Sequence, residues 1–289
     1  MTAAGRSAPV RRRVRLARGP VTIGEPAAPI EARLAAAEPY RPDTIADGGT
    51  AFGLTVRAAS VRGLYKRYTG GPRQDDICLR LHADSETLIA AVADGVSGAS
   101  RSDLGAALAV RYATAAVARQ LDSGSSGIDW GGVFEQAAWA LVSEAERTGE
   151  DAGSLATTLV VAAICVGDQP SVDVAAVGDS PAFLLRGRNY ELVVGDGTQD
   201  NDLIGGGVAA LPRDARLVLA GSRTLNGGDA LLLCTDGVAL PLAGGQGDFG
   251  RTLARELARP PDVVDFARLL DFSRSTYDDD RTLVAVWVP

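Results

Sequence analysis

The chain has 289 residues, 46% of them hydrophobic, with 36 acidic against 29 basic side chains and a formal net charge of −7. That length suits one large domain plus a terminal extension, since single sandwiches and barrels reach about 250 residues. The acidic balance excludes a general nucleic-acid binder, which needs a broad basic face, and the longest apolar stretches, such as TTLVVAAICV at 157–166, fall short of the roughly 18 residues of a membrane span.

Residues 1–50 are rich in Ala, Pro and Arg and lack sustained periodicity, so they read as a disordered tail ahead of a folded domain at 51–289. Within the tail, residues 1–20 hold six arginines and no acid, the composition of a solvated basic segment. Lys66 is the single lysine of the chain and reads as compositional bias.

AFGLTVRAAS at 51–60 and ICLRLHAD at 77–84 alternate in the manner of strands with one wet face, whereas ETLIAAVAD at 86–94 is apolar almost throughout, like a central buried strand. Two helices are expected next. Ser102 or Asp103 is placed to cap the first, with Leu104, Ala107, Leu108 and Ala115 at helical spacing. Asp129 is placed to cap the second, with Trp130, Val133, Ala137 and Val142 on one side. Four strand-like runs follow in an expected meander: ATTLVVAAICV, SVDVAAVG, PAFLLRG and YELVV. Residues 195–228 are Gly-rich and nearly aperiodic apart from ARLVLA, as in a functional loop. DALLLCTDG resumes the strand pattern, two helical segments cover 249–258 and 261–274, and RTLVAVWV closes the chain. Strands and helices in segregated runs favour an α+β fold.

Cys78, Cys165 and Cys234 are odd in number, far apart and set in apolar surroundings. They read as reduced core residues, and with no secretory h-region the expected compartment is cytoplasmic.

Acids recur where apolar strands meet loops: Asp75 and Asp76 before ICLRL, Asp94 after TLIAAVA, Asp236 after ALLLCT, and Asp278, Asp279 and Asp280 before RTLVAVWV. One Asp-Gly after a strand is commonly only a turn. Four strand-terminal sites brought together would place several carboxylates side by side, raising their pKa values unless a cation intervenes. All-oxygen ligation suits Mg2+ or Mn2+, and Gly95 beside Asp94 leaves its carbonyl open to an ion or its waters.

The blocks RQDD (73–76), VADGVSG (92–98), ATTLVV (156–161), VGDSPAFLLR (177–186), LLLCTDGV (231–238) and DDRTLVAV (279–286) occur in an order that resembles the metal-dependent protein phosphatase 2C family. The resemblance implies a four-layer αββα sandwich of two antiparallel β-sheets flanked by helices, and hydrolysis of protein phosphoserine and phosphothreonine by water activated between two Mg2+ or Mn2+ ions. It implies Asp76, Asp94, Asp236 and Asp279 as the acids holding the metals, with the Gly95 carbonyl assisting and Asp75 behind them. Asp280 falls where the family has Asn or Asp. The phosphate clamp falls on Arg67 or Arg73, with YTGGP as a local insertion. A third, weakly bound ion has Glu150 and Asp151 as nearby acids. Asp179 matches a structural turn acid, and the loop after Val194 matches a substrate-selecting flap.

Val96 stands where some relatives carry a histidine that protonates the leaving group. His82, the only histidine, reads as structural or exposed. The implied partner is a phosphorylated protein substrate of a Ser/Thr kinase. A non-catalytic regulatory module of the same fold and a small-molecule phosphoesterase are the alternative readings.

Overall fold

The computed structural model describes residues 21–35, 40–125, 127–195 and 208–289; the Arg-rich stretch 1–20 and part of the Gly-rich loop, 196–207, lie outside the described residues. After a two-residue strand β1 (Val21–Thr22), the hairpin of β2 (Thr44–Ala51) and β3 (Leu54–Val61) leads into a short helix α1 (Leu64–Thr69). A second hairpin, β4 (Asp76–His82) and β5 (Thr87–Ala93), precedes helices α2 (Ser102–Asp122) and α3 (Trp130–Thr148). Strands β6 (Leu159–Cys165), β7 (Ser171–Val177), β8 (Ala182–Arg186) and β9 (Asn189–Val194) follow. After the loop come β10 (Leu219–Thr224), β11 (Ala230–Cys234), α4 (Asp236–Leu242), α5 (Asp248–Glu256), α6 (Val263–Leu270), the two-residue β12 (Phe272–Ser273) and the closing β13 (Arg281–Trp287).

Five strands pair in the order β10-β7-β6-β5-β4 and six in the order β2-β3-β13-β11-β8-β9, while β1 lies beside β12. Every neighbouring pair within the two larger sheets is antiparallel. The burial of β5 shows why the chain needs four layers. All seven of its residues are buried, and alternation sends them to opposite faces. Leu88, Ala90 and Val92 meet the other sheet through Leu231, Leu233, Val284 and Val286. Ile89, Ala91 and Ala93 pack under α2 and α3, against Val110, Phe134 and Leu141. A third core lies below the six-stranded sheet, where Leu232, Leu283 and Ala285 meet Phe249, Leu253, Phe266 and Leu270. The order is helices, sheet, sheet, helices: the expected αββα sandwich. Among the described residues no helix is long and apolar enough to cross a membrane.

Several expectations need correction. The boundary at residue 51 is too late, because β2 pairs with β3 along its whole length and draws most of its residues from the expected tail. Its sequence TIADGGTA is largely exposed; an edge strand with so little apolar content carries no burial pattern to read. The expected meander is broken, since β6 and β7 belong to the five-stranded sheet and β8 and β9 to the six-stranded one. On α2 the buried stripe is Ala106, Ala109, Val110, Ala113, Ala116 and Val117, because small residues let the helix sit close to the sheet while Leu104 and Leu108 flank it. Neither Ser102 nor Asp103 caps that helix; Arg101 holds the position and makes no side-chain cap. Asp129 does cap α3, accepting from Gly132 N at 3.1 Å. Cys234 is buried, but Cys165 is exposed and not a core residue.

Candidate active site

The strand ends that the sequence marks with acids converge at one edge of the sandwich. Asp94 leaves β5, and its backbone is pinned by the two residues just before the neighbouring strand β6. Thr158 N and Thr157 Oγ1 each donate to Asp94 O at 2.8 Å, and Asp94 N donates to Thr158 Oγ1 at 3.2 Å. The paired threonines of ATTLVV thus fix the carboxylate's starting point. A Cβ on Gly95 would lie 2.8 Å from Gln74 O and from Ser102 Cβ. Close packing of three segments therefore requires glycine here, besides any carbonyl role. Asp236 opens α4, and a Cβ on Gly237 would run into the Asp280 carbonyl, so α4 can press directly against the start of β13.

At RQDD the two aspartates part: Asp75, expected behind the metals, faces the acid cluster, and Asp76, expected among them, does not. Successive residues of an extended chain point to opposite faces. Asp75 is fully buried between the sheets, where its Oδ2 accepts from Thr235 Oγ1 at 2.9 Å and Thr282 Oγ1 at 2.6 Å. Those are the threonines of TDG and DDRT. Asp76 points the other way and pairs with Arg41 at 2.7 Å. Asp75, rather than Asp76, belongs to the cluster with Asp94 and Asp236.

The sequence reading also missed Lys66. Its Nζ lies 2.7 Å from Asp279 Oδ1 and 2.9 Å from Asp280 Oδ2, and the side chain is 9% exposed. Asp280 is held further by Gly63 N at 2.7 Å and Gln74 N at 2.6 Å. The signal available was that the chain's only lysine lies on the short segment before the acidic pair.

Burial sets the electrostatics, and mutual repulsion adds to it. Burial and the neighbouring Asp280 push Asp75 up to about 8, against the pull of Lys66. Burial, then the charges of Asp75, Asp236 and Asp279, hold Asp94 well above the usual carboxylate range. Asp236 is raised chiefly by burial, with its hydrogen bond to Asp94 pulling the other way. Burial works against the Lys66 ammonium, but Asp280 and Asp279 outweigh it and keep it charged. Asp75 Oδ1 and Asp236 Oδ1 are buried and have no hydrogen-bond partner.

Asp94, Asp236 and Asp279 line a cavity of about 300 Å3 together with Thr158, Asp179 and Arg213. Val96 stands on the same wall. Asp179 is therefore a cavity residue as well as a turn acid. Arg213, which no sequence pattern marks, contributes an exposed guanidinium paired with Asp214 at 2.7 Å. Neither expected clamp arginine reaches this cavity. Arg67 is held by Asp43 and Asp271 at 2.7 and 2.8 Å; Arg73 is buried and donates to Ser60 Oγ at 2.8 Å and to the Asp75 carbonyl. Glu150 pairs with Arg101 at 3.0 Å, and Asp151 accepts from Gly153 N at 2.8 Å. His82 bridges Ser85 and Asp122 at 2.8 and 2.9 Å, a structural tie between β4 and α2.

Residues 62–279 match the family model described as protein phosphatase 2C. No curated protein matches the sequence. Among solved structures, the Mycobacterium tuberculosis serine/threonine phosphatase PstP/Ppp is similar at 20% identity and a TM-score of 0.55, with 81% of this chain and 98% of that chain covered. The catalytic domain of the serine/threonine phosphatase PstP in complex with two manganese ions is similar at 21% identity and a TM-score of 0.54, covering 81% and 97%. A serine/threonine phosphatase of S. agalactiae gives 18% identity and a TM-score of 0.55, covering 82% and 100%. These likenesses are of fold.

Proposed function

Because the chain belongs to the protein phosphatase 2C family, we propose that it hydrolyses phosphoserine and phosphothreonine in proteins, with divalent metal ions held by Asp75, Asp94, Asp236 and Asp279. One observation carries the reading: two buried carboxylate oxygens, Asp75 Oδ1 and Asp236 Oδ1, have no partner in a cluster of like charges. An unsatisfied buried acceptor costs about 1–3 kcal/mol, and more when charged, so such a cluster calls for a cation. The donors are carboxylates and backbone carbonyls, which fit Mg2+ or Mn2+ and not zinc or copper. Among the described residues no three carboxylate, thiol or imidazole groups already stand together as a ready-made ligand set.

Such ions, when bound, supply a water acidified towards neutrality and offset charge on the phosphoryl oxygens. The chain supplies the rest. Thr157 and Thr158 fix the Asp94 backbone, and Thr235 and Thr282 hold one carboxylate oxygen of Asp75, so hydrogen bonds at strand ends preorganise these two acids. Arg213 offers a guanidinium at the cavity wall, suited to bidentate contact with phosphoryl oxygens. Val96 has no proton to give, so the leaving alkoxide takes its proton from water.

The test is hydrolysis of p-nitrophenyl phosphate and of phosphopeptides with Mn2+, and again in excess chelator. Metal-dependent turnover favouring phosphopeptides over phosphorylated metabolites is expected. Activity that persists in chelator would overturn the metal reading, and equal rates on both substrate classes would overturn the protein-substrate reading.

A further inference from the structure

We infer that Lys66 is a built-in counter-cation of the acid cluster: its ammonium occupies Asp279 when no metal is bound and must give up that carboxylate for a divalent ion to enter. The inference rests on the proposed metal site and goes beyond it, because it makes loading an exchange of cations rather than occupation of bare carboxylates.

Three observations support it. The ammonium is paired at once with Asp279 and Asp280. Asp280 is fully committed, since Lys66 Nζ and the backbone N–H groups of Gly63 and Gln74 take both of its oxygens. Asp279 is the more exposed member, its side chain 39% accessible against 0% for Asp280. It lines both the catalytic cavity and the adjoining one that Lys66 lines with Gln74 and Ser97. The two contacts of the ammonium thus differ in kind: the one to Asp280 is enclosed and structural, and the one to Asp279 faces the space an ion would enter.

The identity of the cation fits the task. Of 29 basic side chains only this one is lysine, and an ammonium is a compact point charge on a flexible stem, whereas a guanidinium holds carboxylates in a fixed planar fork. Lys66 can swing off Asp279 while keeping Asp280. The helix that carries it is only six residues long, and it is tied to the acidic loop through Tyr65 N to Asp278 O at 3.0 Å.

The test is Mn2+ binding by isothermal titration calorimetry to the wild type, Lys66→Met and Lys66→Arg. Removing a positive charge that contacts a ligand oxygen should tighten Mn2+ binding by on the order of tenfold or more, even with solvent screening. Lys66→Arg, which keeps the charge, should bind no more tightly than wild type. Equal or weaker Mn2+ binding by Lys66→Met would overturn the inference. Absence of Mn2+ binding in the wild type would instead overturn the metal site itself, and this inference with it.

Should Lys66→Met fail to fold, wild-type protein labelled with 15N-lysine still gives a decisive reading, since it holds a single side-chain ammonium. Titration with Mg2+ should move that resonance with the saturation of the site. A resonance unmoved at saturating Mg2+ would overturn the exchange.

Discussion

Replacing Asp75 by Asn should raise the melting temperature of the metal-free protein at pH 8 and leave it unraised at pH 5. Burial and Asp280 push the Asp75 carboxyl up to about 8, whereas in an unfolded chain it ionises near roughly 3.9. Between these values the folded state holds the extra proton, so metal-free stability falls as pH rises through the window. Each pH unit weighs at most about 1.4 kcal/mol. By pH 8 the accumulated cost is on the order of a few kcal/mol. An Asn keeps an oxygen for the Thr235 and Thr282 hydroxyls and places its amide where Oδ1 has no partner, a loss of about 1–3 kcal/mol.

The net gain at pH 8 is about 1–3 kcal/mol, and each kcal/mol raises the melting temperature by roughly 2–4 °C for a domain of this size. At pH 5 the folded-state carboxyl is already protonated and the gain disappears. Asp76→Asn should do the opposite, losing its 2.7 Å pair with Arg41 and about 1 kcal/mol at both pH values. Calorimetric melts in chelator decide the matter. A lower melting temperature for Asp75→Asn at pH 8, or stabilisation by Asp76→Asn, would refute the assignment of Asp75 to the cluster.

Further expectations concern activity and architecture. Asp94→Asn and Asp236→Asn should fold, as judged by circular dichroism, yet hydrolyse p-nitrophenyl phosphate at least roughly 100-fold more slowly than wild type with Mn2+. Gly237→Ala should cost about 1–3 kcal/mol in denaturant melts and reduce turnover, since its methyl group meets the Asp280 carbonyl. Starting the chain at residue 51 instead of 21 removes β2 and the partners that Asp43 gives to Arg62 and Arg67. It should lower stability by roughly 3 kcal/mol or more relative to the longer chain, because the buried Arg62 loses its carboxylate partner and Arg67 keeps only Asp271.

The sandwich and the acidic strand ends were legible because each rests on a strong local signal. TLIAAVA is apolar at every position, and only a strand covered on both faces permits that. An acid at the end of such a run, following it at Asp94 and Asp236 and preceding it at Asp279, pointed to one end of the sheets. What escaped the sequence depends on tertiary register. Asp75 and Asp76 are adjacent acids, and which one faces inward is decided by the pairing of Asp76 with Ala93, which no local pattern states. Lys66 looks like a compositional remnant until α1 is folded against the loop at 278–280. β2 has too little apolar content to announce itself, and Arg41 and Arg67 take their meaning from partners far away in the chain.

The proposed metal site is tested most directly by anomalous diffraction at the manganese edge from crystals grown with Mn2+. Two peaks enclosed by Asp75, Asp94, Asp236 and Asp279 are expected, with Lys66 withdrawn from Asp279. An anomalous map without peaks in that cluster, from crystals in which phosphatase activity is retained, would contradict it.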